Sequence, residues 1–486
     1  MCVQPNLNIT EKIVRKKSQT AELSANVTRV IGIRHRVKRS AEGEPRPTQL
    51  AVKIGDELST TQLTDEMTEL DFVQNGIRPG DVILMTLGGS GDNLAFALSR
   101  ALEPIGGCVL RLPPRLLKDY RDQTQKDKDD DSLLLIEIFT KNPKAFYAVE
   151  TRDRKMIIVR ERFRARTDAM KARIACEQRI LSSLIGSIFC SEEGMYPQGE
   201  IEKAFDEAKA NDVILRALLE EEAKRNKRLE AALKDTAVYR QLFMPITGVG
   251  PAIAARIIAP ISDIRLFMVE PDPIELKRLS DEINQIERAV FEPIKNQLAG
   301  EFARRSKDWQ GMGPGELHFM QLGVAASWLK GRGQTDGFKQ LQKALELHQQ
   351  RSALRRQALS KGRAKFRHFC GTFLVTDDKG KWIQARKRRG QVCNWNPEVK
   401  QALFLLGDQF NRRPETYWGQ RFRQYKVSLR ATHPEVELTE NGKKRYTNGH
   451  IHKMATWSTL AKFVDWLFDA WLELELKGEI AKAKAT

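Results

Sequence analysis

The chain has 486 residues, of which 41% are hydrophobic and 30% charged, and a formal net charge of +18. That length accommodates two to four domains with their own cores. No run approaches 18 consecutive apolar residues, which argues against a membrane-spanning helix, and six cysteines without a CxxC pair argue against a disulfide framework or a zinc site. The excess of cations calls for an anionic partner. The first residues, MCVQPNLNITEKIVRKK, lack the layout of a secretory signal, so a cytoplasmic protein is expected.

In chain order, residues 1–25 are polar and expected to be loosely ordered. Val27–Ile33 reads as a strand, and Gln49–Ile54, after the turn-rich AEGEPRP, as its hairpin partner. Leu63–Gln74 carries a helical pattern. Asp81–Leu87 is a continuous apolar run, as a buried strand requires. It ends in Gly88-Gly89-Ser90-Gly91, followed by a helix over Leu94–Leu102 and a strand at Cys108–Leu112. This order points to an α/β domain with a mixed sheet of ribonuclease-H type. The glycine cluster lacks GxGxxG spacing and is not a dinucleotide fingerprint. Next comes the charged segment Lys126–Ser132. Its Asp129, Asp130 and Asp131 suit a helix N-terminus, where carboxylates meet the positive end of the macrodipole. They equally suit Mg2+, which takes one or two carboxylates with phosphate oxygens.

Two long amphipathic patterns follow. One spans Ile158–Phe189, with Met170, Ile174, Ile180, Leu181, Leu184, Ile185 and Ile188 on its apolar face. The other runs from Gln198 to Val238 through Phe205, Leu215, Leu218, Leu219 and Leu229. Together they predict an antiparallel coiled coil and a homo-oligomer contact. Phe243–Pro260 then has the pattern of a helix-hairpin-helix: an apolar residue, Thr247-Gly248-Val249-Gly250, and a helix opened by Pro251. Such glycines permit a tight turn whose amides face a nucleic-acid phosphate near a helix start.

Pro271–Gln357 is rich in helix formers, with a break at Trp309–Gly315. From Arg351 to Arg430, 20 Lys and Arg stand against five Asp and Glu. A one-signed stripe of this kind is an electrostatic footprint of nucleic-acid binding. Within it, Phe373–Thr376 reads as a strand, Asp377–Gly380 as a turn, and Trp382–Gly390 as a basic arm carrying Arg386, Lys387, Arg388 and Arg389. Helices follow at Pro397–Gly407 and Tyr417–Tyr425. The last helix, His452–Leu476, repeats Trp457, Leu460, Phe463, Trp466, Leu467 and Trp471 at core spacing. His450 and His452 read as surface or helix-start residues without metal partners.

Taken together, Val30-Ile-Gly-Ile33, Gly88-Gly89, Val109–Pro113 with Lys118, Asp131-Ser132, Gly248-Val-Gly250 with Ile264–Phe267, and Phe369-Cys-Gly371 resemble the insertion sequence 110 family of transposases, related to the Piv invertases. The resemblance implies a RuvC-type, ribonuclease-H-like domain at 26–145 after the N-terminal segment 1–25. A coiled-coil arm at 146–240 and a helix-hairpin-helix at 241–267 follow. A helical insertion at 268–365 and a basic, mainly helical transposase domain at 366–486 complete the chain. It also implies DNA strand exchange by Mg2+-binding acids and a serine nucleophile, with DNA and a structured guide RNA as partners.

Aligned to the family's motifs, Arg34 stands at the first-strand acid, Thr86 at the glutamate, Lys128 at the next acid and Lys379 at the nucleophile. Asp131 is the one acid in register. The expected function is therefore a transposase-like DNA-binding protein whose strand-exchange activity is reduced or lost. The alternatives are an active Mg2+-dependent recombinase with shifted acids drawn from Asp56, Asp81, Asp92, Asp129 and Asp130, and a helical oligomerising scaffold.

Overall fold

The structure is a computed structural model, and it describes residues 29–36, 45–191, 200–376, 382–384, 393–438, 442 and 444–483. Among the described residues the chain divides into two compact units, one drawn from 29–266 and 370–463, the other from 267–369 and 464 onward.

The first unit is built on a sheet. Strand β1 (Val30–Arg34) pairs antiparallel with β2 (Thr48–Ile54), which turns through Gly55-Asp56 into β3 (Glu57–Leu63). Gly55 has φ +58°, the left-handed geometry that a two-residue hairpin turn needs. Strand β3 is absent from the sequence reading because ELSTTQL is polar and almost entirely exposed, as an edge strand can be. Asp65 then caps α1 (Glu66–Asp71), accepting from the Thr68 amide while the Thr68 hydroxyl accepts from the Asp65 amide.

On the other side of β1 the pairing is parallel. Strand β4 (Val82–Thr86) lies beside β1, and β5 (Cys108–Leu112) beside β4. The short β6 (Tyr147–Ala148) closes the sheet antiparallel, giving the order β3-β2-β1-β4-β5-β6. Both faces of β4 are covered, which explains its unbroken apolar run. Ile83 and Met85 join Ile31, Ile33 and Val109 under α2 (Asp92–Leu102). Val82 and Leu84 face the opposite core with Leu110 and Leu112, under α3 (Pro114–Thr124) and α4 (Asp131–Lys141).

The arm consists of α5 (Thr151–Phe189), α6 (Glu200–Asn211) and α7 (Val213–Lys234). Its pairings run antiparallel: Lys155 with Asp235 at 2.9 Å, Arg166 with Asn226 at 2.9 Å, Arg173 with Glu222 at 2.6 Å. The predicted coiled coil is thus formed between helices of one chain. Its seam is narrower than the sequence stripe. Ile174 and Leu219 are exposed, whereas Ala169, Cys176 and the charged Glu222 are buried. At the far end Phe189, Val213 and Ile214 are 71%, 72% and 65% exposed. Helix α8 (Pro251–Ile261) follows the arm within the same unit.

The second unit is helical. Helix α9 (Pro273–Ile286), short helical segments up to Arg305, α10 (Pro314–Gly331) and α11 (Thr335–Cys370) surround Phe291, Leu298, Leu322, Ala325, Leu329 and Leu341. The first unit resumes with the antiparallel β7–β8 pair (Leu374–Thr376 and Trp382–Gln384), α12 (Pro397–Arg412), α13 (Tyr417–Thr432) and the β9–β10 pair (Glu437–Leu438 and Lys444–Arg445); the turn expected at Asp377–Gly380 lies outside the described residues. The last helix, α14 (Asn448–Ala483), contributes to both units. Leu460 and Phe463 are core residues of the first, Leu467 and Trp471 of the second. Among the described residues no helix is long and apolar enough to cross a membrane.

One contact decides how the first helical layer meets the sheet. A Cβ on Gly32 would lie 1.9 Å from the Ser132 carbonyl oxygen and 3.2 Å from Ile136 Cγ1, so α4 packs directly on the β1 backbone. Gly32→Ala is therefore expected to lower stability by about 1–3 kcal/mol, the usual cost of overpacking, read as a fall in urea midpoint. An unchanged midpoint would mean that α4 does not rest on β1 here.

Candidate nucleic-acid interface

Because β1, β4 and β5 are parallel, their C-terminal ends share one edge of the sheet, where open α/β sheets place their ligands. Continuing the Gly32–Leu84 register by two residues sets Arg34 beside Thr86. Asp131 begins α4 and lies within the electrostatic reach of Arg34, Arg121 and Lys128. The register derived from the family resemblance thus places Arg34, Thr86, Lys128 and Asp131 around one strand edge. Burial raises the Asp131 carboxyl to about 6, outweighing the pull of Arg121, Arg34 and Lys128 in the other direction. The Arg121 Nε–Asp131 Oδ1 distance is 3.1 Å, but the two atoms are too poorly aligned to form a hydrogen bond. Arg34 Nη1 and Ser132 Oγ are also buried there without a partner.

This donor set does not fit Mg2+. A divalent ion needs ionised oxygens, and the edge offers one reluctant carboxylate among three cations. Asp129 pairs with the distant Arg46 at 3.2 Å, and Asp130 accepts the Asp127 amide at 3.3 Å and so holds its own turn. The other shifted candidates lie elsewhere. Asp56 sits in the β2–β3 turn, and Asp81, ahead of β4, is held by Arg29 at 2.6 and 2.8 Å. Among the described residues, the only metal-like trio is Glu287, His318 and His348 in the helical unit. Arg351 donates to His348 Nδ1 at 3.0 Å, which leaves Nε2 as the N–H that Glu287 accepts at 2.7 Å. Burial raises the Glu287 carboxyl, but the two imidazole hydrogen bonds outweigh it and hold it at about 2. The trio is an internal hydrogen-bond network, with no lone pair of His348 left for a metal.

Asp92 belongs to a different assembly. Arg111, 3% exposed on β5, reaches Asp92 and Asp153 at 3.3 Å each and Asp263 at 3.9 Å. Arg160 closes on Asp92 at 2.5 Å. Arg265 holds Asp263 through bonds of 2.7 to 3.1 Å, bonds Asp153, and lies 4.8 Å from the Tyr147 ring centre. Three aspartates and three arginines thereby join β5, the start of α2, the base of the arm and the segment after α8.

The hairpin motif is the second feature of this unit. Ile246 and Val249 are buried and anchor the turn, while Thr247 and Gly250 are exposed. The Val249 amide bonds the Ile246 carbonyl at 3.0 Å, and Gly248 has φ +92°. Gly250 precedes α8 with no side-chain cap, so the first α8 amides are not met by a cap. A Cβ on Gly248 would lie 2.8 Å from the Arg413 guanidinium carbon, which places that cation on the turn. Arg413 Nη1 is oriented by Gln409 Oε1 at 2.6 Å. Among the described residues it has no carboxylate partner. Helix α8 is fastened to α12 by Arg256, which bonds Glu398 at 2.8 Å and Gln401 at 3.0 Å.

Helix α13 adds exposed Arg421, Arg423 and Lys426, with no acid in the helix. Arg430 instead supports backbone, donating to the His433 and Tyr446 carbonyls. Lys379, Arg386, Lys387, Arg388 and Arg389 lie outside the described residues. Sequence reasoning missed Arg413, Arg111 and Arg265. The signal for Arg111 was a lone cation inside an apolar strand, which demands a buried partner. No comparable signal marked Arg413, which stands 165 positions from Gly248. In comparison with known proteins, no family model and no curated protein matches the chain.

The Asp131 environment has a measurable consequence. A carboxyl raised from 3.8 to about 6 is favourable to the fold below pH 3.8, and that contribution is lost as pH rises through 6. Asp131→Asn should therefore raise stability at pH 7 by about 1–3 kcal/mol, with little gain at pH 3.5. A loss of stability at pH 7 would show that the carboxylate is needed in its charged form.

Proposed function

We propose that the chain is a transposase-like nucleic-acid-binding protein whose strand-exchange chemistry is reduced or lost. The observation that carries this reading is Arg413, whose guanidinium lies on the Gly248 turn at the uncapped start of α8. Amides at a helix start and a guanidinium are both phosphate ligands. Placed together at an exposed glycine turn, they fit a backbone phosphate. Helix α13 supplies further cations, and the 20-to-5 excess over Arg351–Arg430 supplies the long-range attraction.

The mixed sheet is compatible with the ribonuclease-H-type reading, and the arm and hairpin motif follow it in the order that the resemblance implies. At the strand edge, Arg34, Arg121, Lys128 and the unpartnered Ser132 hydroxyl suit an anion better than a cation. In this reading a phosphate takes the place where relatives of this type would hold a metal. DNA is the primary partner, with a structured RNA as a second one.

The test is binding of labelled duplex DNA across salt concentrations. Wild type should lose affinity steeply with salt, and Arg413→Gln should weaken binding at every salt while reducing the log–log slope by about 1. A parallel triple change at Arg421, Arg423 and Lys426 should reduce it further. Wild-type binding that does not respond to salt, or an Arg413→Gln slope equal to wild type, would overturn the assignment of this turn.

A further inference from the structure

A serine, a histidine and a glutamate meet on the edge of the sheet beside α2, and neither nucleic-acid binding nor the replaced acid positions make use of them. The topology brings them together. His35 follows the last residue of β1, and Ser90 lies in the turn after β4, so parallel pairing puts both at one edge. Gly88 and Gly89 have φ +80° and +94°, a left-handed pair that glycine adopts without penalty. The turn presents Ser90 on an exposed tip between strand and helix. A Cβ on Gly91 would lie 3.1 Å from His35 Cβ and 3.2 Å from Met85 Cε, so the missing side chain lets the imidazole lie against the turn.

The contacts then run in one line. Ser90 Oγ is 2.9 Å from His35 Nδ1, and His35 Nε2 is 3.5 Å from Glu69 Oε1. The second distance is longer than a good hydrogen bond, as is common in unliganded sites that tighten on substrate. Glu69, on α1, is buried and fixed by the Thr48 hydroxyl at 2.5 Å, with Arg36 Nη2 at 3.5 Å from its other oxygen. In the tautomer with its proton on Nε2, on the Glu69 side, the Nδ1 lone pair faces the serine hydroxyl. Burial lowers the imidazole pKa against the opposing pull of Glu69, which keeps the ring neutral and basic at pH 7. Helix α2 starts two residues after Ser90 with no side-chain cap, and its Asp92 side chain is occupied by Arg111 and Arg160.

We propose that Ser90 is a nucleophile activated by His35 and oriented through Glu69, forming an acyl-transfer site for unhindered carboxylic esters. A serine on a sharp strand-to-helix turn, with open helix amides behind it, is the arrangement that exposes an activated hydroxyl. Here the two imidazole nitrogens exchange roles relative to the usual triad. The chemistry balances without a co-reactant other than water. Ser90 Oγ bonds the ester carbonyl carbon as its proton passes to His35 Nδ1. The carbon–oxygen bond to the alcohol breaks, and the alcohol departs with that proton. Water then attacks the Ser90 acyl ester, giving its proton to His35. The carbon–Oγ bond breaks, the carboxylic acid leaves, and the serine proton is restored. The uncapped first amides of α2 are the donors assigned to the developing oxyanion.

The experiment is labelling of the full chain with a fluorophosphonate probe, the modified residues being mapped by mass spectrometry. Ser90 should react at least about a hundredfold faster than exposed Ser59 in the same sample, the usual scale of base activation. Ser90→Ala should remove that adduct, and His35→Gln should bring the rate down to that of Ser59, with thermal melting confirming the fold. Glu69, Arg36 and Asp92 are the charges acting on the imidazole. Glu69→Gln, a positioning change, should slow labelling and shift its half-maximal pH downward, because an anion that favours the imidazolium is gone. p-Nitrophenyl acetate should give a burst that Ser90→Ala lacks. Ser90 reacting no faster than Ser59 in wild type would overturn the proposal without any variant. So would a folded His35→Gln protein that labels at the wild-type rate.

Discussion

The first unit depends on a buried ionic network. Arg111 sits on β5, next to the edge strand β6, among otherwise apolar core residues, and Asp92, Asp153 and Asp263 converge on it from three separate elements. Arg160 and Arg265 complete the neutralisation, so three carboxylates face three guanidiniums. Burying charge is costly unless every charge is paired, and removing one partner strands the others at about 3–5 kcal/mol. Such an arrangement contributes less through net stability than through geometry. Asp263 and Arg265 follow α8, Asp153 starts the arm and Asp92 starts α2. The network therefore ties the hairpin motif and the arm base to the sheet. Even though Asp92, Asp153 and Asp263 gather, they are consumed by arginines, and no net negative charge remains there to hold a cation.

The strand edge carries the opposite imbalance. Arg34, Arg121 and Lys128 surround a single carboxyl there, Asp131, which is pushed up to about 6 by burial. An excess of cations at such an edge decides what can bind. Cations that would repel a metal ion attract phosphate instead. The same sign appears at Arg413 on the hairpin turn and along α13, so several parts of the first unit favour one class of partner.

Much of the fold was legible because it follows from periodicity. The apolar runs of β4 and β5, the hairpin of β1 with β2, the first arm helix and the stripe of the last helix follow from their spacing. The second arm pattern, expected as one run from Gln198 to Val238, instead breaks at Asp212, which caps α7, into α6 and α7. Where the sequence reading fell short, the missing information was tertiary. Strand β3 is polar because its outer face meets solvent, so no alternation marks it. Leu219 extends the apolar stripe of the arm yet is exposed, while Glu222 enters the seam because Arg166 and Arg173 reach it at 3.1 and 2.6 Å. Ile264–Phe267 was visible as a motif, but the pairing of Arg265 with Asp153 was not. Asp131 was singled out by register alone. Arg413 and the Ser90–His35–Glu69 set could not be, because their members lie far apart in sequence and meet only through the parallel sheet and the packing of α12.

The central claim is nucleic-acid binding without strand exchange, and a single plasmid experiment tests it most directly. The chain is incubated with Mg2+ and a plasmid carrying the protein's own flanking DNA, wild type beside Lys379→Ser, with binding and recombinant junctions measured in the same samples. Wild type is expected to give bound plasmid and no junctions. Mg2+-dependent junctions from wild type would contradict it, because they would require a set of metal-binding acids other than the strand edge described here.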